Sequence, residues 1–248
     1  MAIEVEIQDG VGEVIINAPP VNALNNAGWR EFADKMIAVG RRDDVNCVVI
    51  RSEGRGFQAG VDVKELAENG YLIVELNRGC YDSFAAVYDC PVPTISAVHG
   101  FCIGGGIGIA GSSDFVIAAE NATFSLPEID RGALGAATHL MRLVGVQKAR
   151  RMLYTCESIS AAELYRVGGC ESVVPTESLR DEAMQVARSI AGKSPKALRL
   201  AKFAMNGIET LDVKKSYRYE QGFTLELYTT RDSQEARDAF VEKRDAKF

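Results

Sequence analysis

The chain has 248 residues, of which 47% are hydrophobic and 25% are charged, and its net charge is -6. This size and composition are typical of one globular domain, with or without a helical appendage. The acidic balance, and the lack of a basic run interleaved with aromatic residues, argue against nucleic acid as a partner. The apolar runs fall short of the roughly 18 residues of a membrane span and the N-terminus is polar, so we expect a cytoplasmic protein with no membrane partner.

Cysteine and histidine usage argues against a metal site. The six cysteines form no C-x-x-C pair, and the two histidines complete no zinc-ligand spacing. Reduced thiols are the usual state of cysteines in the cytoplasm. Cys102 lies beside a run of glycines and is a conceivable nucleophile, but its neighbours offer no activating base other than His99. We therefore expect structural thiols and no bound metal.

The first half of the chain predicts strands and helices in alternation. Apolar alternation over residues 3–7 and 11–16, around Asp9-Gly10, predicts a hairpin. Asn25 can cap an amphipathic helix, and Val45 to Ile50 predicts a buried strand. The apolar face of that helix comprises Trp29, Phe32, Ala33, Met36 and Ile37. A second helix is predicted from about Leu72 to Tyr88. Alternation up to about residue 125 indicates a largely parallel sheet with crossover helices.

Beyond Thr138 the sequence favours helices. The predicted helical segments are Ala149 to Tyr154, Ala161 to Val167, Leu179 to Ala191, Pro195 to Gly207 and Val213 to Tyr228. In this part of the chain, Cys170 to Val174 is the segment that predicts a further strand. The C-terminal third is therefore expected to form a helical layer on the α/β core or on a neighbouring subunit.

A glycine-rich turn follows the apolar strand Thr94 to Val98. Gly104-Gly105-Gly106 opens a short helix, whose first backbone N–H groups suit an anion. Residues 106–111 spell G-x-G-x-x-G, which suggests a dinucleotide site. However, the next strand already begins at Asp114, so there is no room for the crossover helix that such a site needs. The spacing instead favours an oxyanion that forms during a reaction.

A second glycine-framed turn, over residues 54–64, follows the strand that ends at Ile50. Both turns lie at the carboxyl edge of the predicted sheet, where open α/β sheets bind ligands. Two such turns can each aim one N–H group at a single oxygen. They therefore predict an oxyanion hole, in which each donor contributes on the order of 3 kcal/mol of transition-state stabilisation.

Four motifs together resemble the crotonase, or enoyl-CoA hydratase/isomerase, superfamily over nearly the whole chain. They are Gly56-Phe57-Gln58-Ala59-Gly60-Val61-Asp62-Val63-Lys64, Gly104-Gly105-Gly106, Phe124-Ser125-Leu126-Pro127-Glu128 and Ala239-Phe240-Val241-Glu242-Lys243-Arg244. The resemblance implies an α/β crotonase fold with a repeated ββα spiral core over residues 1–190. It also implies a C-terminal helical trimerisation region over residues 191–248, and hence a homotrimer or homohexamer.

The same resemblance implies an acyl-CoA substrate and a set of binding residues. Val61 and Gly105 would supply the two oxyanion N–H groups for the thioester carbonyl. Lys64 would meet a CoA phosphate, while Phe240 and Lys243 would reach CoA bound to an adjacent subunit. The other positions implied to bind the substrate are Ala23, Gln58, Ala59, Gly60, Asp62, Val63 and Gly104. Coenzyme A would enter as part of the substrate, with no separate cofactor.

Simpler interpretations exist for some of these residues. Asp62 and Lys64 alone would be an ordinary solvated pair at a helix start, where an acid favours the helix dipole. Phe240 alone would be assigned to the core. Their joint occurrence with both glycine turns favours the binding roles.

The chain departs from the hydratase pattern at one acidic position. Hydratases of the superfamily carry two glutamates, whereas this chain has Gly108 at the first position and Glu128 at the second. Hydration by two carboxylates that share a water is therefore in doubt. A single buried carboxyl group can still act as a general base if its pKa rises toward neutrality.

Several segments resemble one branch of the superfamily, the ring-opening hydrolases of bacterial steroid catabolism. These segments are residues 77–81, 101–108, 129–140 and 216–224. The branch hydrolyses a carbon–carbon bond in a bicyclic thioester, 7a-methyl-1,5-dioxo-hexahydroindene-carboxyl-CoA. The resemblance thus implies a retro-Claisen type ring opening through a thioester dienolate held in the oxyanion hole.

Three side chains are candidates for the chemistry. We expect Glu128 to activate water or to shuttle a proton. Arg131 could hold the developing carboxylate or polarise the distal ketone, with a surface salt bridge as the alternative. His139 is a weaker candidate, because a histidine near a helix N-terminus is more often structural.

Two other functions remain open from the sequence alone. One is an enoyl-CoA hydratase, isomerase or thioester hydrolase that acts on a different acyl-CoA. The other is a non-catalytic crotonase-fold subunit that binds CoA thioesters. The loss of an acid at Gly108 favours the silent subunit over a hydratase, but not over a ring-opening enzyme, which does not need the pair.

Overall fold

Two β-sheets organise the computed structural model, which describes residues 2–62, 70–210 and 212–247. In chain order the strands are β1 (Ile3–Gln8), β2 (Val11–Ile16), β3 (Cys47–Ser52), β4 (Thr94–Val98), β5 (Phe101–Ile103), β6 (Phe115–Ala119), β7 (Thr123–Ser125), β8 (Ser158–Ser160) and β9 (Ser172–Val174). The six-stranded sheet has the order β1-β2-β3-β4-β6-β9 and is parallel except for the pair β1 and β2. The three-stranded sheet has the order β5-β7-β8.

Helices cover both faces of the larger sheet. In chain order they are α1 (Asn26–Gly40), α2 (Ile73–Tyr88), α3 (Gly105–Ser112), α4 (Ala137–Thr155), α5 (Ala161–Arg166), α6 (Leu179–Ala191), α7 (Pro195–Ile208), α8 (Val213–Tyr228) and α9 (Arg231–Glu242). Helices α1 and α2 pack over the face that carries Val48 and Ile50. Helix α6 packs over the opposite face, which carries Val49 and Ile95. Neighbouring strand residues thus enter two apolar layers, as is usual in a parallel sheet.

The predicted hairpin and first helix are confirmed. Asp9 and Gly10 both have positive φ, 54° and 77°, in the turn between β1 and β2. Asn25 caps α1, because its side chain accepts the Gly28 N–H at 2.9 Å. Of the predicted apolar face, Ile37 is the exception, since 38% of it is exposed.

Some elements differ from the sequence-based prediction. Helix α4 begins at Ala137 rather than near Ala149, and the short strand β8 and the last helix α9 were not predicted. Strand β8 has three residues, two of them serine, which is too short to show a period. Among the described residues, none of the helices combines the length and the apolar character needed to cross a membrane.

The helix α7 is fixed to the core by an ion pair. The Lys202 ammonium group, with 3% of its side chain exposed, lies 2.7 Å from Asp114 Oδ2. The same oxygen accepts the Thr94 N–H at 2.7 Å, at the start of β4. The pair therefore joins the C-terminal helices to the central sheet, while the boundary predicted near residue 190 stays a prediction.

We expect the substitution Asp114→Asn to destabilise the protein by about 3–5 kcal/mol, because it leaves the buried Lys202 charge without its counter-ion. Urea unfolding monitored by circular dichroism measures this change. The control Lys202→Met removes the charge and should cost less, and the double variant should recover most of the loss. A loss below about 1 kcal/mol in the single variant would contradict the role given to this pair.

Candidate active site

The loop after β3 is fastened to β5 by backbone hydrogen bonds. Phe57 N–H donates to Phe101 O, and Ile103 N–H donates to Gln58 O, both at 2.9 Å. The Gln58 side chain then closes the turn, since its Nε2 donates to Gly60 O at 2.8 Å and its Oε1 accepts the Gly60 N–H at 2.7 Å. Gly60 has a φ of +91°, which favours glycine. Gln58 is fully buried and shapes the loop, while the substrate contact that the resemblance implied for it stays a prediction.

Val61 follows this turn and presents its N–H group to a pocket. Val61 and Leu24 form an isolated parallel bridge. Its hydrogen bonds run from Leu24 N–H to Gly60 O at 3.1 Å and from Asp62 N–H to Leu24 O at 2.9 Å. Because neighbouring groups of extended backbone point to opposite sides, the Val61 N–H points away from Leu24. Both Gly60 and Val61 line the pocket.

The second donor comes from the glycine turn at the start of α3. Gly104 has a φ of +58°, and α3 begins at Gly105. The first N–H groups of a helix have no acceptor within the helix, and they carry a partial positive charge. The two turns adjoin, since a Cβ placed on Gly60 would lie 3.5 Å from Gly105 N. This arrangement is compatible with the predicted oxyanion hole, in which Val61 and Gly105 would be the two donors.

A buried carboxyl group lies against the same turn. A Cβ placed on Gly104 would collide with Glu128 Oε1, so a glycine at this position lets the acid approach. Glu128 Oε2 is inaccessible to solvent and has no hydrogen-bond partner in the described part of the chain. Burial raises the pKa of Glu128 to about 8, with Arg131 opposing the rise and Glu220 adding to it. This carboxyl group can therefore give or take a proton near neutral pH.

The last helix forms one wall of the pocket over Glu128 and Val61. The cavity has a volume of about 130 Å³. The Arg131 guanidinium lines it and lies 5.0 Å above the Phe240 ring of α9. Phe240 thus lines a pocket of its own chain, and its reach toward CoA bound to an adjacent subunit stays a prediction. A docking contact holds α9 in this position, since Ser233 Oγ of α9 donates to the Gly132 carbonyl beside the Glu128 turn.

An aromatic ring fills the space next to Gly108. A Cβ placed on Gly108 would overlap the ring of Phe84. That ring is 2% exposed and packs edge-on against Trp29 at 5.6 Å and His139 at 4.9 Å between centroids. The site therefore has no room for a carboxylate at position 108. The missing acid is a feature of the packing and not a change at one residue alone.

We expect Gly108→Glu to destabilise the protein by about 1–3 kcal/mol or more, because the new side chain overpacks a closed aromatic layer. Adding Phe84→Ala should recover part of that loss by opening the space. Thermal unfolding measures both variants, with Gly207→Glu as the control because a Cβ at Gly207 meets open space. Equal melting temperatures for Gly108→Glu and the control would contradict the steric argument.

His139 lies in the aromatic cluster behind the pocket. Its ring centroid is 4.9 Å from that of Phe84 and 5.0 Å from that of Tyr217. Burial, aided by the charge of Arg142, lowers the pKa of His139 to about 3. Neither ring nitrogen has a hydrogen-bond partner among the described residues. An imidazole with this pKa stays neutral at physiological pH, so the structure favours the packing role over the catalytic role.

The remaining candidates are spread around the site. Ala23, Ala59 and Asp62 are half-buried beside the loop of Gly60, and Lys243 is exposed at the end of α9. Their binding roles stay predictions. The other two implied positions, Val63 and Lys64, lie outside the described residues. Cys102 is fully buried, and burial raises the pKa of its thiol, which disfavours a nucleophilic role.

Apart from Phe240, sequence reasoning missed the side chains that reach the site from α8 and α9. Burial raises the pKa of Glu220 to about 7, although its carboxylate accepts the Ala137 N–H at 3.0 Å. The missed α9 residues that line the pocket are Gln234, Arg237, Asp238 and Val241. A start signal for α9 was present, since Thr230 Oγ1 accepts the Ser233 N–H as a helix cap. What the cap cannot indicate is where the helix docks.

Comparison with known proteins identifies the family. The family described as Enoyl-CoA hydratase/isomerase matches residues 6–248. A protein of Rhodococcus jostii (strain RHA1) is 51% identical over 236 residues, covering 94% of this chain and 92% of its own. A protein of Mycobacterium tuberculosis (strain ATCC 25618 / H37Rv) is 48% identical, covering 95% of this chain and 96% of its own. Both are named (7aS)-7a-methyl-1,5-dioxo-2,3,5,6,7,7a-hexahydro-1H-indene-carboxyl-CoA hydrolase.

Solved structures agree with this assignment. An enoyl-CoA hydratase from Mycobacterium avium subsp. paratuberculosis K-10 superposes with a TM-score of 0.90 at 26% identity, covering 100% of this chain and 98% of its own. An enoyl-CoA hydratase/isomerase from Xanthobacter autotrophicus Py2 gives the same TM-score, 0.90, and the same coverage at 27% identity. The predicted crotonase fold is therefore confirmed. The oxyanion turns, the match over residues 6–248 and these structural relatives together show that the chain belongs to the enoyl-CoA hydratase/isomerase family.

Proposed function

We propose that this enzyme is a ring-opening carbon–carbon hydrolase whose substrate is the bicyclic thioester named for its two relatives. The observation that carries the proposal is that one of the two catalytic carboxyl groups of a hydratase is present and the other is absent. The oxyanion turns and Glu128 are kept, while the Phe84 ring closes the place of the second acid at Gly108. A site with one carboxyl group and an oxyanion hole suits a reaction that needs one proton carrier and an enolate acceptor.

The substrate itself defines the bond that breaks. Its name places a ketone at carbon 1, next to the quaternary carbon 7a, and leaves a double bond between carbons 3a and 4. Water adds to carbon 1, and collapse of the adduct breaks the bond between carbons 1 and 7a. Carbon 1 becomes a carboxylate, and the released electron pair moves through the double bond onto the thioester oxygen. Protonation of the resulting dienolate completes a reaction that consumes one water and transfers no electrons to an acceptor.

The residues of the site match these steps. The N–H groups of Val61 and Gly105 stabilise the dienolate oxygen, where each donor contributes on the order of 3 kcal/mol. Glu128 takes a proton from the attacking water and returns one to the dienolate. Arg131 lines the same pocket and offers a fixed positive charge to the oxygen atoms on carbon 1. This division needs no second carboxylate.

Incubation with the bicyclic thioester and, separately, with crotonyl-CoA tests the proposal. We expect turnover of the bicyclic thioester to a product that has gained one water and carries a new carboxylate, shown by mass spectrometry before and after methyl esterification. Hydration also adds one water, so the ester is the deciding observation. Turnover of crotonyl-CoA alone would favour a hydratase. CoA binding without turnover of either compound would favour a silent subunit.

The pKa of Glu128 predicts the pH dependence of turnover. Since this pKa is raised to about 8, the carboxyl group is mostly protonated at neutral pH. A general base must be deprotonated, so kcat/KM should rise with pH and level off above about 8. Initial rates between pH 6 and 9.5, at constant ionic strength, measure the profile. Activity that instead falls as pH rises through 8 would make the acid role of Glu128 rate-limiting.

The wider assembly is part of the proposal. We expect a homotrimer or homohexamer that works in the cytoplasm and takes coenzyme A as part of its substrate, without a separate cofactor. Support for an oligomer comes from exposed apolar side chains on α7, since Phe203 is 80% exposed and Ile208 is 73% exposed. Several large apolar side chains exposed on one helix indicate a surface that a partner can cover.

A further inference from the structure

A second guanidinium group lines the pocket that holds Glu128. Arg237, on α9, lies 4.1 Å from the centre of the Tyr228 ring. Its Nη1 donates to Ser233 Oγ, and its Nη2 donates to Gln234 Oε1 at 2.7 Å. The ring and both acceptors are uncharged, so they orient the planar group while it keeps its positive charge.

The charges in the pocket favour an anion next to α9. Arg131 and Arg237 both line the pocket, and the acidic residues in its described wall are Glu128 and Asp238. Glu128 is largely protonated at neutral pH, because burial raises its pKa to about 8. Asp238 Oδ1 accepts the Gln234 Nε2–H at 2.7 Å. Besides Glu128, the described wall of the pocket therefore carries two guanidinium groups and one carboxyl group.

We propose that Arg237, acting with Arg131, binds the carboxylate that ring opening creates. The inference rests on the proposed function, because the neutral ketone of the substrate becomes an anion only in the reaction. A guanidinium forms charge-assisted, bidentate hydrogen bonds with a carboxylate and much weaker ones with a ketone. Arg237 thus stabilises the adduct and the product more than the substrate, which lowers the barrier.

The ligand also carries the anionic phosphates of CoA. The test therefore distinguishes binding of the new carboxylate from binding of a CoA phosphate. The variants are Arg237→Met and Arg237→Lys, with Arg231→Met as the matched control, since Arg231 is an exposed arginine on the same helix and outside the pocket wall. Four quantities are measured for each: kcat and KM for the bicyclic thioester, and the dissociation constants of the purified ring-opened product and of free CoA.

We expect Arg237→Met to lower both kcat and product affinity by about 10–100-fold, as the loss of a charge-assisted hydrogen bond does. The KM for the bicyclic thioester and the affinity for free CoA should stay within about two-fold of wild type, because neither the substrate nor CoA carries the new carboxylate. Arg237→Lys should fall between, since it keeps the charge but loses the planar fork. If Arg237→Met does not fold, the same four quantities measured for Arg237→Lys test the proposal. Arg231→Met should match the wild type.

Two results would overturn the assignment. If Arg237→Met weakens the binding of the product and of CoA equally, Arg237 binds a CoA phosphate. If the affinity for the product is unchanged, Arg237 does not bind the new carboxylate. If the wild type does not open the bicyclic thioester at all, the proposed function itself fails, and the inference falls with it. Wild-type turnover therefore separates the two failures.

Discussion

Glu128→Gln is expected to lower kcat on the bicyclic thioester by about 10²–10⁴-fold, the usual contribution of a positioned general acid–base group. The amide keeps the size of the side chain and fills the same space against Gly104, but it cannot exchange a proton with water or with the dienolate. KM should change little, because the oxyanion donors belong to the backbone of Val61 and Gly105. Steady-state kinetics with purified protein, followed by product quantification, measure the effect.

The stability of the same variant provides the control for folding. The pKa of Glu128 in the folded protein is raised from 4.5 to about 8, so the folded state holds its proton more tightly than the unfolded state. The wild type should therefore lose stability as pH rises from about 4.5 through 8, up to a limit of about 5 kcal/mol. Glu128→Gln removes this loss and should be the more stable protein at pH 9. Near-native turnover in a folded Glu128→Gln variant would remove Glu128 from the mechanism.

Local sequence patterns predicted the parts of the site that the backbone builds. Glycine turns at strand ends leave N–H groups unpaired wherever they occur, so Gly60 and Gly105 could be found from their spacing to β3 and β4. The acid at Glu128 follows β7 within a short motif, and its burial agrees with the need for a raised pKa. The helix caps at Asn25 and the turn at Asp9-Gly10 are equally local, and all of these predictions concern contacts within a few residues.

The parts that the sequence did not predict depend on contacts between distant segments. Phe84 lies 24 positions before Gly108 in the numbering, yet its ring decides that no acid fits there. Arg237 reaches the pocket only because α9 docks beside Gly132. The packing of His139 depends on rings from two other helices. A period or a motif describes one segment, so it cannot indicate which distant segments meet.

Gly104→Ala is expected to lower kcat by about 10²-fold or more, although it adds only a single uncharged methyl group. Two costs combine at this position. Gly104 has a φ of +58° and a ψ of −110°, outside the left-handed helical region, which costs alanine about 1–3 kcal/mol. In addition, the new Cβ would collide with Glu128 Oε1 and move the carboxyl group away from the oxyanion turn. A misplacement of about 1 Å is enough for a loss of this size.

Gly54→Ala separates these two costs. Gly54 also has a positive φ, +81°, but a Cβ there meets no atom within 4 Å. Both variants should lose about 1–3 kcal/mol in urea unfolding because both glycines have a positive φ, which strains an alanine. Only Gly104→Ala should lose turnover, since only its methyl group displaces the acid. If Gly104→Ala keeps the kcat of Gly54→Ala, the contact between Glu128 and the glycine turn does not contribute to catalysis, and the proton must be carried from another place in the pocket.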